Sequence, residues 1–414
     1  MLNFTIQASR ETLSAQESAQ LLYLLIEVSA PEHYRLSHLP LNVGLVIDRS
    51  TSMQGDRLER VKAAAALLVE KLSAADVLSV VAFSDRAEVV LPASHVRNKA
   101  PVLSRLRTIV AFGGTEIYQG LNACVKEMRK ADLDHHLNHI ILLTDGQTYG
   151  DENACLQLAQ QAAASHIGIS GFGIGSEWND QFLDRLVAPS GGQCAYIDTP
   201  DQIVTLLQQR IQSLGKVYAH NFRLKADQFP AGVRIQYGLK FKPFAQPLPD
   251  NPQQDLNLGS VEARTPLVFV LELMIESQSG PRLEIPLTFV ADIPAEMAVN
   301  QPFHQKLALP VGGQKADVFP PDAVVEAVRV LNLYRLNETA WHEIEAGQLQ
   351  TAVTRMRRLT TRLLESGFTQ MATQAQIETE RLSTMGTLSL EGRKRLKFGT
   401  RALLTKTLML NDDD

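Results

Sequence analysis

Cysteine is scarce in this sequence. The three present, Cys124, Cys155 and Cys194, are far apart, odd in number and free of any CxxC spacing. They form no disulfide framework and read as small buried hydrophobes, which fits a reducing cytoplasm. An excess of charge is also lacking. Lys and Arg number 40 and Asp and Glu 45, a net charge of −5, so the composition makes no global case for a nucleic-acid or anionic-membrane partner. No apolar run approaches the roughly 18 residues of a membrane span. The nearest, LVFVLELMI, is short and carries a Glu, and it reads as a buried strand. The first residues, MLNFTIQASRETLSAQES, have no basic or apolar leader segment, so no signal peptide is expected. A G-x-x-x-x-G-K-[ST] loop is missing, and GFGIGS at 171–176 lacks the third glycine of a dinucleotide fingerprint.

What is present is an ordinary packed composition, 45% hydrophobic and 21% charged over 414 residues, enough for two to four domains. From 40 to 213 short apolar runs alternate with amphipathic helices. LNVGLVI (41–47), VLSVVAF (77–83), AEVVL (87–91), HIILLT (139–144), and segments 168–174 and 194–197 read as strands. Helices are expected at 56–72, 101–109, up to about 130, and at 151–165, 179–188 and 200–213. Alternation of this kind predicts parallel pairing with right-handed crossovers, a doubly wound α/β domain.

The flanks differ. Segments 217–311 hold strand-like runs such as VRIQYGLKF, LVFVLELMI and RLEIPLTFV separated by Pro and Gly. Two further strands are expected within residues 1–38. Alone they would be marginal, so they are expected to complete a β-sandwich with 217–311, with the α/β domain inserted into it. From 320 to 414 the chain reads as helical, with helices 322–346, 348–366 and 369–385 ending at Gly347, Gly367 and Gly386. AWHEIEAGQLQTAV resembles one tetratricopeptide hairpin, but no second copy follows at the required period. The last segment is basic, carrying Arg393, Lys394, Arg395, Lys397, Arg401 and Lys406. It is expected to pack on the acidic body as a solvated element, since interleaved aromatics for nucleic-acid binding are wanting.

Ligands of an open α/β sheet bind at the carboxyl ends of its strands. Three loops here leave such ends with hard oxygen donors: Asp48, Ser50 and Ser52 in D-x-S-x-S spacing, Thr115 in GGTE, and Asp145 in LLTDGQ. Two carboxylates and three hydroxyls, with no His or Cys, select a hard cation, Mg²⁺ or Mn²⁺ ahead of zinc. Two carboxylates neutralise Mg²⁺, and a position stays open for an outside oxygen, best a carboxylate. The two-residue spacing aims alternate side chains at one point, with Thr51 as a spacer. Gly113 and Gly114 allow the backbone to bring Thr115 close. The competing reading of Asp48 is a helix cap, and of Asp145-Gly146 a plain turn. Neither accounts for all three loops together.

With D-x-S-x-S after the first strand, G-G-T before the third helix and T-D-G after the fourth strand, 40–213 resembles a von Willebrand factor A domain with its metal ion-dependent adhesion site. The resemblance implies Asp48, Ser50, Ser52, Thr115 and Asp145 as the metal ligands, Asp145 often through water, and a protein–protein interaction module rather than an enzyme. Its ligand would be a partner's Asp or Glu. Bacterial proteins with A domains and similar flanks are the nearest overall likeness. They imply an AAA+ ATPase, signalling kinase or phosphatase as partner. The flanking sandwich is similar in topology to the hybrid domain of integrin β chains. Arg49 departs from the small residue common after the first Asp, and either attracts an acidic ligand or points to solvent. The alternative is a Mg²⁺-dependent phosphotransferase or phosphatase of the haloacid dehalogenase-like type, whose nucleophilic Asp also follows the first strand. It lacks a second Asp two residues on, where Ser50 stands.

Overall fold

A computed structural model describes residues 1–15, 18–34, 39–148, 150–249, 255–312 and 319–407. The chain opens with strands β1 (Asn3–Ala8) and β2 (Ala19–Ser29). The α/β unit follows: β3 (Leu41–Asp48), α1 (Asp56–Lys71), β4 (Val77–Phe83), β5 (Ala87–His95), α2 (Lys99–Arg107), α3 (Ile117–Met128), β6 (Leu137–Thr144), α4 (Glu152–Ala164), β7 (Ile167–Ile174), α5 (Asp180–Val187), β8 (Cys194–Ile197) and α6 (Asp201–Leu214). Its sheet has the order β5-β4-β3-β6-β7-β8. β3, β4, β6, β7 and β8 run parallel. β5 is antiparallel to β4, the one exception in a sheet read from the sequence as mostly parallel. The cause is the connection: Ser84-Asp85-Arg86 suffices for a hairpin turn and is far too short for a crossover.

Every residue of β3, β4 and β6 is buried, as two-sided helix cover requires. Val43, Leu45 and Ile47 pack with α1 and α6 on one face. Val46 faces α3, α4 and α5 on the other. In α1, Leu58, Val61, Ala65, Leu68 and Val69 form the buried stripe. Asn98 and Asn179 cap α2 and α5, their side chains accepting from Ala100 N and Phe182 N.

The chain then adds β9 (Val217–Leu224), β10 (Val233–Lys242), β11 (Gln246–Pro247), β12 (Leu256–Glu262), β13 (Leu267–Glu276), β14 (Arg282–Ile293) and β15 (Ala298–Pro310). These make two antiparallel sheets, ordered β1-β2-β13-β10-β11 and β12-β9-β14-β15. The N-terminal pair joins through β2 and β13, in register from Leu267 opposite Val28 to Glu276 opposite Ala19. The two sheets share one apolar core, with Leu22, Leu24, Ile26 and Phe269 from the first and Phe222, Leu224, Leu287 and Phe289 from the second. The α/β unit is therefore inserted between two strands of this layered body.

Among the described residues four helices follow: α7 (Asp322–Glu345), α8 (Leu349–Glu365), α9 (Thr369–Met385) and α10 (Leu390–Thr407). Gly347, Gly367 and Gly386 adopt φ of 75°, 78° and 71° directly after the first three, the left-handed turn by which helices commonly end. Residues 408–414, the end of the expected helical region, lie outside the described residues. α7 covers the outer face of the five-stranded sheet, where Val324, Ala327, Leu331 and Tyr334 meet Leu25, Phe241, Val268 and Val270. No helix among the described residues is long and apolar enough to cross a membrane.

α10 is the basic segment, and it lies on the α/β unit. Lys397 Nζ sits 2.6 Å from Asp180 Oδ2 and 2.9 Å from Asp184 Oδ2. Arg401 makes two bonds to Asp184, at 2.9 and 2.6 Å. Lys394 Nζ donates to the carbonyls of Ser176 and Trp178. Lys394, Lys397 and Arg401 are thus paired internally; the packing on the body matches the sequence reading, but these side chains are buried where a solvated element was expected.

Candidate metal centre at the strand ends

The strand order reverses about β3: successive strands run outward through β4 on one side and through β6 on the other. That switch point opens a crevice beyond the carboxyl ends. Asp48 ends β3 and Asp145 follows Thr144, the last residue of β6, so both carboxylates stand at the crevice floor. Each is almost fully buried.

The first loop folds back on itself. Asp48 Oδ1 accepts from Ser50 N at 2.8 Å, and its Oδ2 accepts from Thr144 Oγ1 at 2.6 Å. Ser50 Oγ and Ser52 Oγ lie 3.0 Å apart. Ser52 Oγ donates to Asp145 Oδ1 at 2.7 Å, which links the first loop to the third. Thr115, also buried, abuts the third loop: a Cβ built at Gly146 would lie 3.1 Å from Thr115 Oγ1. The structure therefore brings the three loops that carry the five sequence-derived residues side by side.

Other residues lock the loops together. Thr51 does more than set the spacing, since its N–H and hydroxyl both donate to Gly113 O at 3.1 Å. Gly113 has φ of 80°, open only to glycine without strain. Gly114 N donates to Asp85 Oδ1. Ile117 N and Tyr118 N donate to Thr148 Oγ1 and Asp151 Oδ2, fixing the third loop to the start of α3.

Among the described residues, Asp48 meets only neutral donors. Burial pushes its carboxyl up to about 6, the neighbouring charge of Asp145 adds to the rise, and the bonds from Ser50 and Thr144 oppose it. Asp145 does have a cation: Arg57 Nη1 lies 2.6 Å from Asp145 Oδ2. Sequence reading missed Arg57, although a basic residue beside Asp56 in the first turn of α1, where acids are favoured, was a visible signal. It also missed Thr144, which nothing but its place at the strand end distinguishes. Arg49, left open above, turns away from the solvent. It is buried, pairs with Glu88 Oε2 at 2.5 Å and lies 4.3 Å over the Phe112 ring.

A model of the von Willebrand factor type A domain matches residues 42–210. A model described as the Sll0103-like, C-terminal alpha-helical domain matches 322–406. The uncharacterized protein sll0103 of Synechocystis sp. is 30% identical over 405 residues, covering 94% of each chain. Among solved structures, a von Willebrand factor type A protein from Catenulispora acidiphila is similar with a TM-score of 0.76 at 18% identity, over 97% of this chain and 96% of that one. The ArnB paralog VWA2 from Sulfolobus acidocaldarius is similar with a TM-score of 0.58 at 16% identity, over 98% of each. At these identities the structural likeness is one of fold.

Proposed function

The chain belongs to the von Willebrand factor type A proteins that carry an Sll0103-like C-terminal helical domain, and from that membership we propose that its strand-end loops hold a divalent cation through which a protein partner's carboxylate is bound. Domains of this family mediate protein–protein interaction. The proposed ligands are Asp48, Ser50, Ser52, Thr115 and Asp145. The cation is Mg²⁺ or Mn²⁺, because every donor is a hard oxygen.

One observation carries this reading. Two buried carboxylates from separate loops are joined through Ser50 and Ser52, and among the described residues Asp48 has only neutral partners. Buried charges are ordinarily paired or bound to metal. Arg57 supplies Asp145 with a cation from within the chain, a role a metal ion would take over. The proposed site binds and does no chemistry on its ligand. The haloacid dehalogenase-like alternative gains no residue, since the position of its second Asp is Ser50, which carries no carboxyl to act as acid or base.

Apolar cores of their own support treating 40–213, the pair 1–38 with 217–311, and 320–414 as the units of the molecule, the last two joined by a further core between α7 and the five-stranded sheet. Three buried, free cysteines support the cytoplasm as its place of work. The test is capture of partners from source-cell extract in Mg²⁺. Capture is expected to be lost in EDTA and with Asp48→Ala, and capture unchanged by both would refute the reading.

A further inference from the structure

We propose that His166, His220 and Asp292 form a second metal site, for a zinc-like transition cation, at the seam between the α/β unit and the four-stranded sheet. His166 lies in the turn between α4 and β7, on the inserted unit. His220 on β9 and Asp292 on β14 are register partners across the sheet. Asp292 Oδ2 lies 3.3 Å from His166 Nδ1 and 3.7 Å from His220 Nδ1, and the three ligand atoms all fall within 4.8 Å of one another. A tetrahedral zinc ion with bonds of 2.0–2.2 Å has ligand-to-ligand edges of about 3.3–3.6 Å. The triad therefore needs adjustments of only side-chain size to close on an ion.

The donor chemistry separates this site from the strand-end loops. Two imidazoles and one carboxylate suit zinc, cobalt or nickel, whereas an all-oxygen set suits Mg²⁺. Three protein ligands also leave a fourth position open. His166 is 38% exposed at its side chain and Asp292 is 6% exposed, so the site is floored by the carboxylate and entered past the imidazole.

The surroundings orient the ligands as a metal site requires. Asn300 N donates to Asp292 Oδ1 at 2.7 Å, which leaves Oδ2 turned to the histidines. Asn221 Nδ2 donates to His166 Nδ1 at 3.0 Å and to Asp292 Oδ2 at 3.1 Å. A polar donor thus bridges two of the atoms a cation would bridge. Turned about its last torsion, the same amide presents an oxygen. Four non-glycine residues among those described have positive φ, and three are His166 at 57°, Asn221 at 52° and Asn300 at 53°. All three converge on Asp292. Such conformations are uncommon outside glycine and cluster at functional sites.

The experiment uses the full chain, stripped with a chelator and kept in excess Mg²⁺, titrated with Co²⁺ by visible absorption and with Zn²⁺ in competition. The wild-type protein is expected to bind one equivalent with the visible band of low-coordinate cobalt, and Asp48→Ala to keep it. His166→Asn and His220→Ala should each weaken binding by roughly 100-fold or more, as loss of a ligand exceeds the usual cost of losing an outer-shell partner. His166→Asn retains a residue that tolerates the left-handed backbone, so it reports on the site even where His220→Ala fails to fold. Wild-type protein without the band, or undiminished Co²⁺ and Zn²⁺ binding in His166→Asn, would overturn the proposal.

Discussion

Asp48 is the residue on which most rests, and its burial makes a signed prediction. Its carboxyl titrates at about 6 in the folded chain against 3.8 for the ordinary group. A folded-state value that is raised contributes stability that is full below about 3.8 and is lost as pH rises through about 6. In metal-free protein at pH 7.5 the ionised group therefore costs about 3 kcal/mol by linkage. Asp48→Asn should be more stable than wild type by about that much at pH 7.5, and by about half as much at pH 5, read by urea unfolding in EDTA. An equal stability at both pH values would contradict the burial argument. Saturating Mg²⁺ should reverse the order, because the ion stabilises only the folded wild type. Arg57 permits a second test at this scale. Its guanidinium is partly exposed, so its pair with Asp145 is worth about 1 kcal/mol after screening. Arg57→Ala removes a competitor for the carboxylate and should tighten Mg²⁺ binding about fivefold in calorimetry; weaker binding would show that Arg57 supports the site instead.

At the scale of elements, α10 offers the sharpest prediction. Asp180 and Asp184 on α5 are held below the usual carboxylate range by Lys397, Arg393 and Arg401, against the opposing effect of burial. Lys397→Met leaves two buried carboxylates short of a cation, and should cost about 3–5 kcal/mol. Their depressed titration also implies that this contribution is lost as pH falls below the ordinary carboxylate range. Urea unfolding at pH 7 and pH 2.5 checks both, and a loss under about 1 kcal/mol at pH 7 would mean that the pairs merely break even. This clamp was only partly legible in the sequence. The acid-free run of Arg and Lys from 393 to 406 was visible, and so was its need for an acidic surface. Its partners lie more than 200 positions away, and no local pattern names them. The strands and helices were legible because apolar periodicity and the glycines at 347, 367 and 386 mark them locally. β5 shows how such local marks work: the three-residue turn at Ser84-Asp85-Arg86 is too short for a crossover and makes it the antiparallel edge of a mostly parallel sheet. In the site the same division holds. Asp48, Ser50, Ser52, Thr115 and Asp145 announce themselves by spacing and donor type, while Arg57, Thr144 and the pairing of Arg49 with Glu88 depend on what tertiary packing brings near.

At the scale of the whole molecule, three units lean on one another. The inserted α/β unit touches the antiparallel body where Lys240 Nζ donates to Gly191 O at 2.8 Å and Gln246 bridges Cys194 N and Asp184. The helical region covers the outer face of the five-stranded sheet through Val324, Leu331 and Tyr334. Ending the chain at residue 312 would bare Leu25, Phe241, Val268 and Val270, an apolar patch of the kind that drives association. The shortened protein should self-associate at micromolar concentration in size-exclusion chromatography with light scattering; a stable monomer would show that the sheet does not need that cover. The loops with the proposed cation lie at the carboxyl ends of β3 and β6, and Arg57 there stands 3.1 Å from the Cβ position of Gly175, one residue from the carbonyl of Ser176 that Lys394 of α10 holds. The helical region thus holds the segment next to Gly175, against which Arg57 packs.

The most direct measurement is a calorimetric titration of the metal-free full chain with Mg²⁺, run beside Asp48→Ala. The account predicts one equivalent bound by the wild-type chain and none by the variant. Equal binding by both chains, or no binding by the wild type, would contradict it.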